Sequence, residues 1–306
     1  MKKTIALLLA ICTVLTLFAA CGSEEKPVTT QSPQASTQEV TSNATTEAPE
    51  TQTPEAKAPE VSIPETVIYD ADGIKITATG MENDGDWGKG IKFLVENSTD
   101  KNIAFSGDNF VINGITVYGY LYIEVAAGKK ANGTLEIDYA TLDNAQISEI
   151  ATIVSYDAYI VDTDSYDTLC TVPFSIESSV SGSYTQAIDE TGEVLFDQDG
   201  IVVIAQYISD AYYGNMVRML VKNNTGKDII CEAENVSVNG FTISAWMYNT
   251  IYTASVSYCE LEIFSDSLEE NGIEEVEEIT FTLNFIDNSS YSTITTSDEL
   301  QLFVVK

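Results

Sequence analysis

The residues in this sequence with the potential for chemistry are cysteines, carboxylates and aromatic rings with a polar edge. Histidine is missing, which removes the usual general base and the commonest zinc ligand. Cys170, Cys231 and Cys259 therefore have no imidazole to activate a thiolate, and a thiol nucleophile is not expected. The preferred reading of these three is small buried hydrophobes; a Cys231–Cys259 bridge is the alternative that an extracellular setting permits. Gly-x-Ser-x-Gly and phosphate-loop patterns do not occur. Among 47 acidic residues no pair stands out as the two carboxylates of a sugar hydrolase. Asp162, Asp164 and Asp167 offer calcium several oxygens, but the matching places later in the chain keep only Asp287, beside Ser289 and Ser292. A solvated turn is the simpler reading. No catalytic residue, metal or cofactor is expected.

Recognition chemistry is better represented. Tyr118, Tyr120 and Tyr122 share one face of an expected strand, opposite Val117, Leu121 and Ile123. The matching positions later in the chain hold Ser244, Trp246 and Tyr248. Rings with a polar edge suit an exposed surface that binds sugar or protein. Ordinary cross-strand packing is the competing reading, and solvent access decides between them.

These residues are set in a chain of 306 residues with 47 acidic and 14 basic side chains, a formal charge of −33. That balance excludes nucleic acid as a partner, because a nucleic-acid binder needs a basic footprint. A hydrophobic share of 44% is that of a globular protein, so the acidity is not that of a disordered acidic tail.

Lys2 and Lys3 precede an apolar run from Ile5 to Phe18, which is too short for a spanning helix. The run ends in Leu17-Phe18-Ala19-Ala20-Cys21, which resembles the bacterial lipobox, with Phe18 where leucine is usual. The resemblance implies removal of residues 1–20, diacylation of Cys21 and anchoring on the outer face of a bacterial membrane. Two acyl chains suffice for stable attachment. Residues 21–65 follow as an expected tether, extended and disordered, rich in Pro, Thr and Glu and without an aromatic residue.

The remainder is one unit written twice. Asp72-Gly73-Ile74 recurs as Asp199-Gly200-Ile201, and Val95-Glu96-Asn97-Ser98-Thr99-Asp100-Lys101 as Val221-Lys222-Asn223-Asn224-Thr225-Gly226-Lys227. Asn113-Gly114 recurs as Asn239-Gly240, and Asp162 with Tyr166 as Asp287 with Tyr291. The units span 66–177 and 194–306, joined by a polar linker at 178–193. Alternation such as Ile279, Phe281, Leu283 and Phe285 with polar residues between gives strands with one buried face. The Asn-Gly pairs predict type I′ hairpins. One helical turn per unit is expected, at Thr141–Ala145 and from a capping box at Ser267-Leu268-Glu269-Glu270 closed by Gly272.

Seven or eight strands per unit argue for an all-β fold of two tandem β-sandwiches, although strand number alone does not separate a sandwich from a closed barrel. The order of these motifs resembles the immunoglobulin-like repeats of Gram-positive surface lipoproteins, which are similar in turn to small secreted bacterial antigens. The resemblance covers nearly all of 66–306. It implies immunoglobulin-like sandwiches at the cell surface and no catalytic residues. The first unit keeps the family's Ala-Gly-Lys-Lys-Ala turn at 127–131, whereas the second has Ala254-Ser255-Val256-Ser257 there.

The expectation is therefore a lipid-anchored extracellular protein with two non-catalytic modules. It would bind an envelope glycan or an extracellular protein through Tyr118, Tyr120, Tyr122, Trp246 and Tyr248. A surface spacer without a specific ligand is the alternative.

Overall fold

The computed structural model describes residues 60–211 and 214–304. The expected signal segment, Cys21 and the tether as far as residue 59 lie outside them. The described chain is mostly β-strand with two short helices.

The first repeat runs β1 (Thr66–Ala71), β2 (Ile74–Glu82), β3 (Gly88–Asn97), β4 (Ile103–Ile112), β5 (Ile115–Val125), β6 (Lys130–Asp138), α1 (Tyr139–Asn144), β7 (Thr152–Ser155), β8 (Tyr159–Asp162), β9 (Thr168–Thr171) and β10 (Phe174–Glu177). The second runs β11 (Glu193–Gln198), β12 (Ile201–Ala211), β13 (Gly214–Asn223), β14 (Ile229–Val238), β15 (Phe241–Thr242), β16 (Ala245–Trp246), β17 (Tyr248–Ile251), β18 (Ser255–Phe264), α2 (Ser265–Glu270), β19 (Glu278–Asp287), β20 (Thr293–Thr296) and β21 (Leu300–Phe303).

The antiparallel runs β1-β2-β3-β6 and β11-β12-β13-β18 belong to one sheet, joined through β5, and each repeat encloses its own apolar core. The reason is the period-two pattern: Ile279, Phe281, Leu283 and Phe285 of β19 are fully buried, while Thr280, Thr282 and Asn284 between them are not. Two apolar clusters result. One holds Phe93, Phe105, Phe110 and Phe174, and the other Met219, Leu261, Phe281 and Phe285. Cys231 and Cys259 are buried free thiols in the second cluster, and burial pushes both thiols up in pKa, Cys259 to about 12.

The turn residues adopt the backbone that their types favour. Asn113 and Gly114 have φ of 52° and 86°, and Asn239 and Gly240 of 51° and 83°, the pair of positive values that a two-residue hairpin turn needs.

Three expectations need correction. Residues 61–65 do not belong to the tether: Val61 and Ile63 are buried, Ile63 in the first core, and Ser179 N–H donates to the Ser62 carbonyl at 2.7 Å. Their apolar side chains have a core to enter, which composition alone does not reveal. Ser267 does not cap α2. The helix starts two residues earlier without a side-chain cap, and Ser267 Oγ instead accepts the Ser244 N–H at 2.9 Å. The strand after the second Asn-Gly turn is not continuous either. It is cut into β15, β16 and β17, of which β16 leaves β14 to pair with β18.

Candidate binding cleft

The residues that mark the repeat in the sequence turn out to hold loops together. Asn97 is 2% exposed and donates to the carbonyls of Lys101 and Val125, while its Oδ1 accepts the Thr99 N–H. Asn223 does the same with Lys227, Ile251 and Thr225. Lys101 reaches Asp162 at 2.9 Å and Lys227 reaches Asp287 at 2.7 Å. Those carboxylates also accept backbone N–H groups from Asp164 and Ser165, and from Ser289 and Ser290. The lysine, first, and these N–H donors lower the pKa of both aspartates. Asp162 is thus occupied as the centre of a turn. Asn113 and Asn239 each tie down a neighbouring loop by accepting two N–H groups and donating to one carbonyl. Recognition has to come from other residues.

The two repeats meet through the first Asn-Gly hairpin and through residues of the second repeat, such as Tyr252, Ser255 and Val256, whose counterparts in the first differ. The tip of the β4–β5 hairpin lies against β18, with one parallel pairing between Ile115 and Val256. The Val256 N–H donates to Gly114, Thr116 Oγ1 lies 2.7 Å from Ser255 Oγ, and Ser257 Oγ donates to the Thr116 carbonyl. Tyr252 is 1% exposed; its ring packs on Tyr156 and its hydroxyl donates to the Asn109 carbonyl. Burial, then Asp157, pushes the Tyr252 phenol strongly up in pKa, and burial raises Asp157.

The one arginine of the sequence, Arg218, completes the junction. Its guanidinium donates to the carbonyl of Asn144, the last residue of α1, and to Gln206. It lies 3.4 Å from a Glu260 oxygen and 4.4 Å from the centre of the Tyr258 ring. A planar cation with five donors serves two repeats at once in a way that lysine cannot.

Beside this junction opens a cleft of about 580 Å³, of the size small-molecule and peptide sites have. The first repeat contributes Asp108, Asn109, Tyr118 and the end of α1; the second contributes Trp246, Tyr248, Asn249, Tyr258, Glu260 and Glu262. The break in the strand after Asn239-Gly240 is what places Trp246. β16 crosses to pair Trp246 with Glu262, Met247 turns into the core, and Tyr248 rejoins β14. The indole and the Tyr248 ring stack with centroids 6.0 Å apart and planes at 24°.

Three of the five aromatic candidates therefore gather in one cleft, all of them exposed: Tyr118 at 56%, Trp246 at 60% and Tyr248 at 44%. Tyr120 is exposed on the same strand face but lines neither this cleft nor a second depression. Tyr122 belongs to that second depression, of about 300 Å³, with Tyr159 and Tyr166. Sequence reading missed the acidic side of the cleft, although the outward-facing alternation of Tyr258, Glu260 and Glu262 along β18 was there to be read. Burial raises the pKa of Glu260, with Arg218 opposing and Glu262 adding to the rise. The cleft can hold a ring or an alkyl chain against Trp246 and Tyr248 and present carboxylates beside it. In comparisons with protein-family models and with curated proteins, nothing matches the chain.

Proposed function

We propose that this chain is a lipid-anchored extracellular surface protein whose two immunoglobulin-like modules act together as a non-catalytic binding unit. The convergence of Tyr118, Trp246 and Tyr248 in one open cleft carries the reading. Bare aromatic area on a monomer invites association and is seldom kept without a use. The resemblance of Leu17-Phe18-Ala19-Ala20-Cys21 to a lipobox supports the anchor and the outer membrane face. An envelope glycan or an extracellular protein is the ligand class that such a surface serves.

The test has two parts. Expressed in a Gram-positive host, the protein should carry diacylglycerol on Cys21, and Cys21→Ala should leave an unlipidated precursor; an unmodified N-terminus after Cys21 in the wild type removes the anchor. Screened against envelope glycans and extracellular proteins, the full chain should bind a ligand that the double change Trp246→Ala, Tyr248→Ala abolishes with little loss of stability. The buried polar junction also suits a rigid surface spacer. That second reading takes over if no ligand depends on those two rings.

A further inference from the structure

The cleft has a sign as well as a shape. Its lining includes three carboxylates, Asp108, Glu260 and Glu262, and no lysine or arginine. The guanidinium behind it, Arg218, is committed to Glu260, Gln206 and the Asn144 carbonyl. Among the described residues neither Asp108 nor Glu262 has a basic partner. An anionic ligand would face the charges of Asp108 and Glu262, with Glu260 paired to Arg218, within a chain of net charge −33. A cation gains from the same field, and from the faces of Trp246, Tyr248 and Tyr118, whose π-electrons attract positive charge.

The acidic groups stand on both repeats, Asp108 on β4 and Glu260 with Glu262 on β18, with the stacked rings beside them. A ligand that satisfies this layout has more than one positive charge and an apolar stem between charge and backbone. Lysine and arginine side chains have that form, since their methylenes lie along apolar surface while the head stays at a polar rim. Asn109, Asn144 and Asn249 add donors and acceptors for a peptide main chain.

Resting on the reading of this cleft as the binding site, we propose that its occupant is a basic segment of an extracellular polypeptide. Such a segment would lay a lysine or arginine stem on Trp246 and Tyr248 with its charge between Glu262 and Asp108.

The experiment uses the full chain with Trp87→Phe, because Trp87 is 77% exposed and would mask the indole of Trp246. Short peptides rich in lysine and arginine, the same peptides with glutamine in their place, and neutral N-acetylglucosamine oligomers are titrated against Trp246 emission. The basic peptide should change the emission and saturate, and its affinity should fall about tenfold or more as salt rises from low to physiological strength. Asp108→Asn with Glu262→Gln should weaken it by about tenfold and leave the melting temperature in place. Glu193→Gln with Asp197→Asn, on β11 and outside the cleft, should change it little. Binding of the neutral oligomer alone overturns the basic-peptide proposal and leaves the cleft as a glycan site. Basic-peptide binding equally indifferent to both pairs of substitutions overturns it as well, since attraction to the acidic surface at large would explain it. If no probe affects Trp246, the proposal and the reading of the cleft as a binding site fall together.

Discussion

The two repeats use the same backbone turn for opposite purposes. In the first, Ala126-Ala127-Gly128-Lys129-Lys130-Ala131 leads into β6 with Lys129 and Lys130 exposed to water. In the second, Tyr252-Thr253-Ala254-Ser255-Val256-Ser257 leads into β18 and packs against the other repeat. Gly128 and Ala254 have φ of 67° and 57°, so the turn is retained while its side chains are recut. The β5 strand shows the same division. It is continuous in the first repeat and cut into three in the second, where the cut presents Trp246. What the repeats share holds their turns and loops, while Arg218, Tyr252 and Trp246, which the first repeat lacks at the matching places, mark the junction and the cleft.

The largest effect should come from the residue that most separates the two turns. Tyr252→Ala should cost about 3–5 kcal/mol, because it empties a fully buried aromatic site and removes the hydroxyl donor of the Asn109 carbonyl. Calorimetry should then show two transitions in place of one. A single unshifted transition would mean that the junction adds nothing to either repeat.

A second comparison uses the shared signature. Asn97→Ala and Asn223→Ala should each cost about 1–3 kcal/mol, since each leaves buried carbonyls and an N–H without partners. Equal losses in denaturant midpoint would show that the loop does the same work in both copies. A loss confined to one copy would break the equivalence.

Acid should reveal two opposed sets of groups. Asp162 and Asp287 have pKa values lowered by Lys101 and Lys227, so the stability they contribute is full above the ordinary carboxylate value of about 4 and is lost as pH falls through their folded values. Asp157 and Glu260 are raised by burial, so the folded state binds their protons first and gains stability as pH falls from neutral toward about 4. Stability should therefore peak at mildly acidic pH and decline below about pH 4. Lys101→Met and Lys227→Met should flatten the acid limb by similar amounts. A curve that keeps rising below pH 4 contradicts the assignment of these ion pairs.

The smallest effect tests the turn itself. Ala254→Gly should stabilise by at most about 1 kcal/mol, because glycine adopts the positive φ without a Cβ penalty, offset in part by greater freedom of the unfolded chain. A loss of stability would show that the Ala254 methyl has a packing role at the junction.

Much of the scaffold was legible because it depends on local rules. Period two in Ile279–Phe285 yields a one-sided strand in any context, and Asn-Gly selects its turn by backbone sterics. The helix start at Ser265 was not legible, since the Ser267 hydroxyl is drawn to a distant N–H on Ser244 instead of its own helix. The aromatic face was legible as a pattern, though not as a cleft. Tyr118, Tyr120 and Tyr122 read alike along one strand; the second repeat makes Tyr118 part of the cleft, while Tyr159 and Tyr166 of its own repeat surround Tyr122.

By itself, the sequence determined the all-β character, the duplication and its turns, and the lack of histidine and of an arginine other than Arg218. These follow from residue identity and from the short-range sterics of the backbone. Tertiary structure alone decided that Arg218 reaches the end of α1, that Tyr252 packs on Tyr156 of the other repeat, and that carboxylates from β4 and β18 line one space together with Trp246. Those contacts join residues at least 74 positions apart in the chain, and no local preference encodes them: they arise where the two repeats pack against each other.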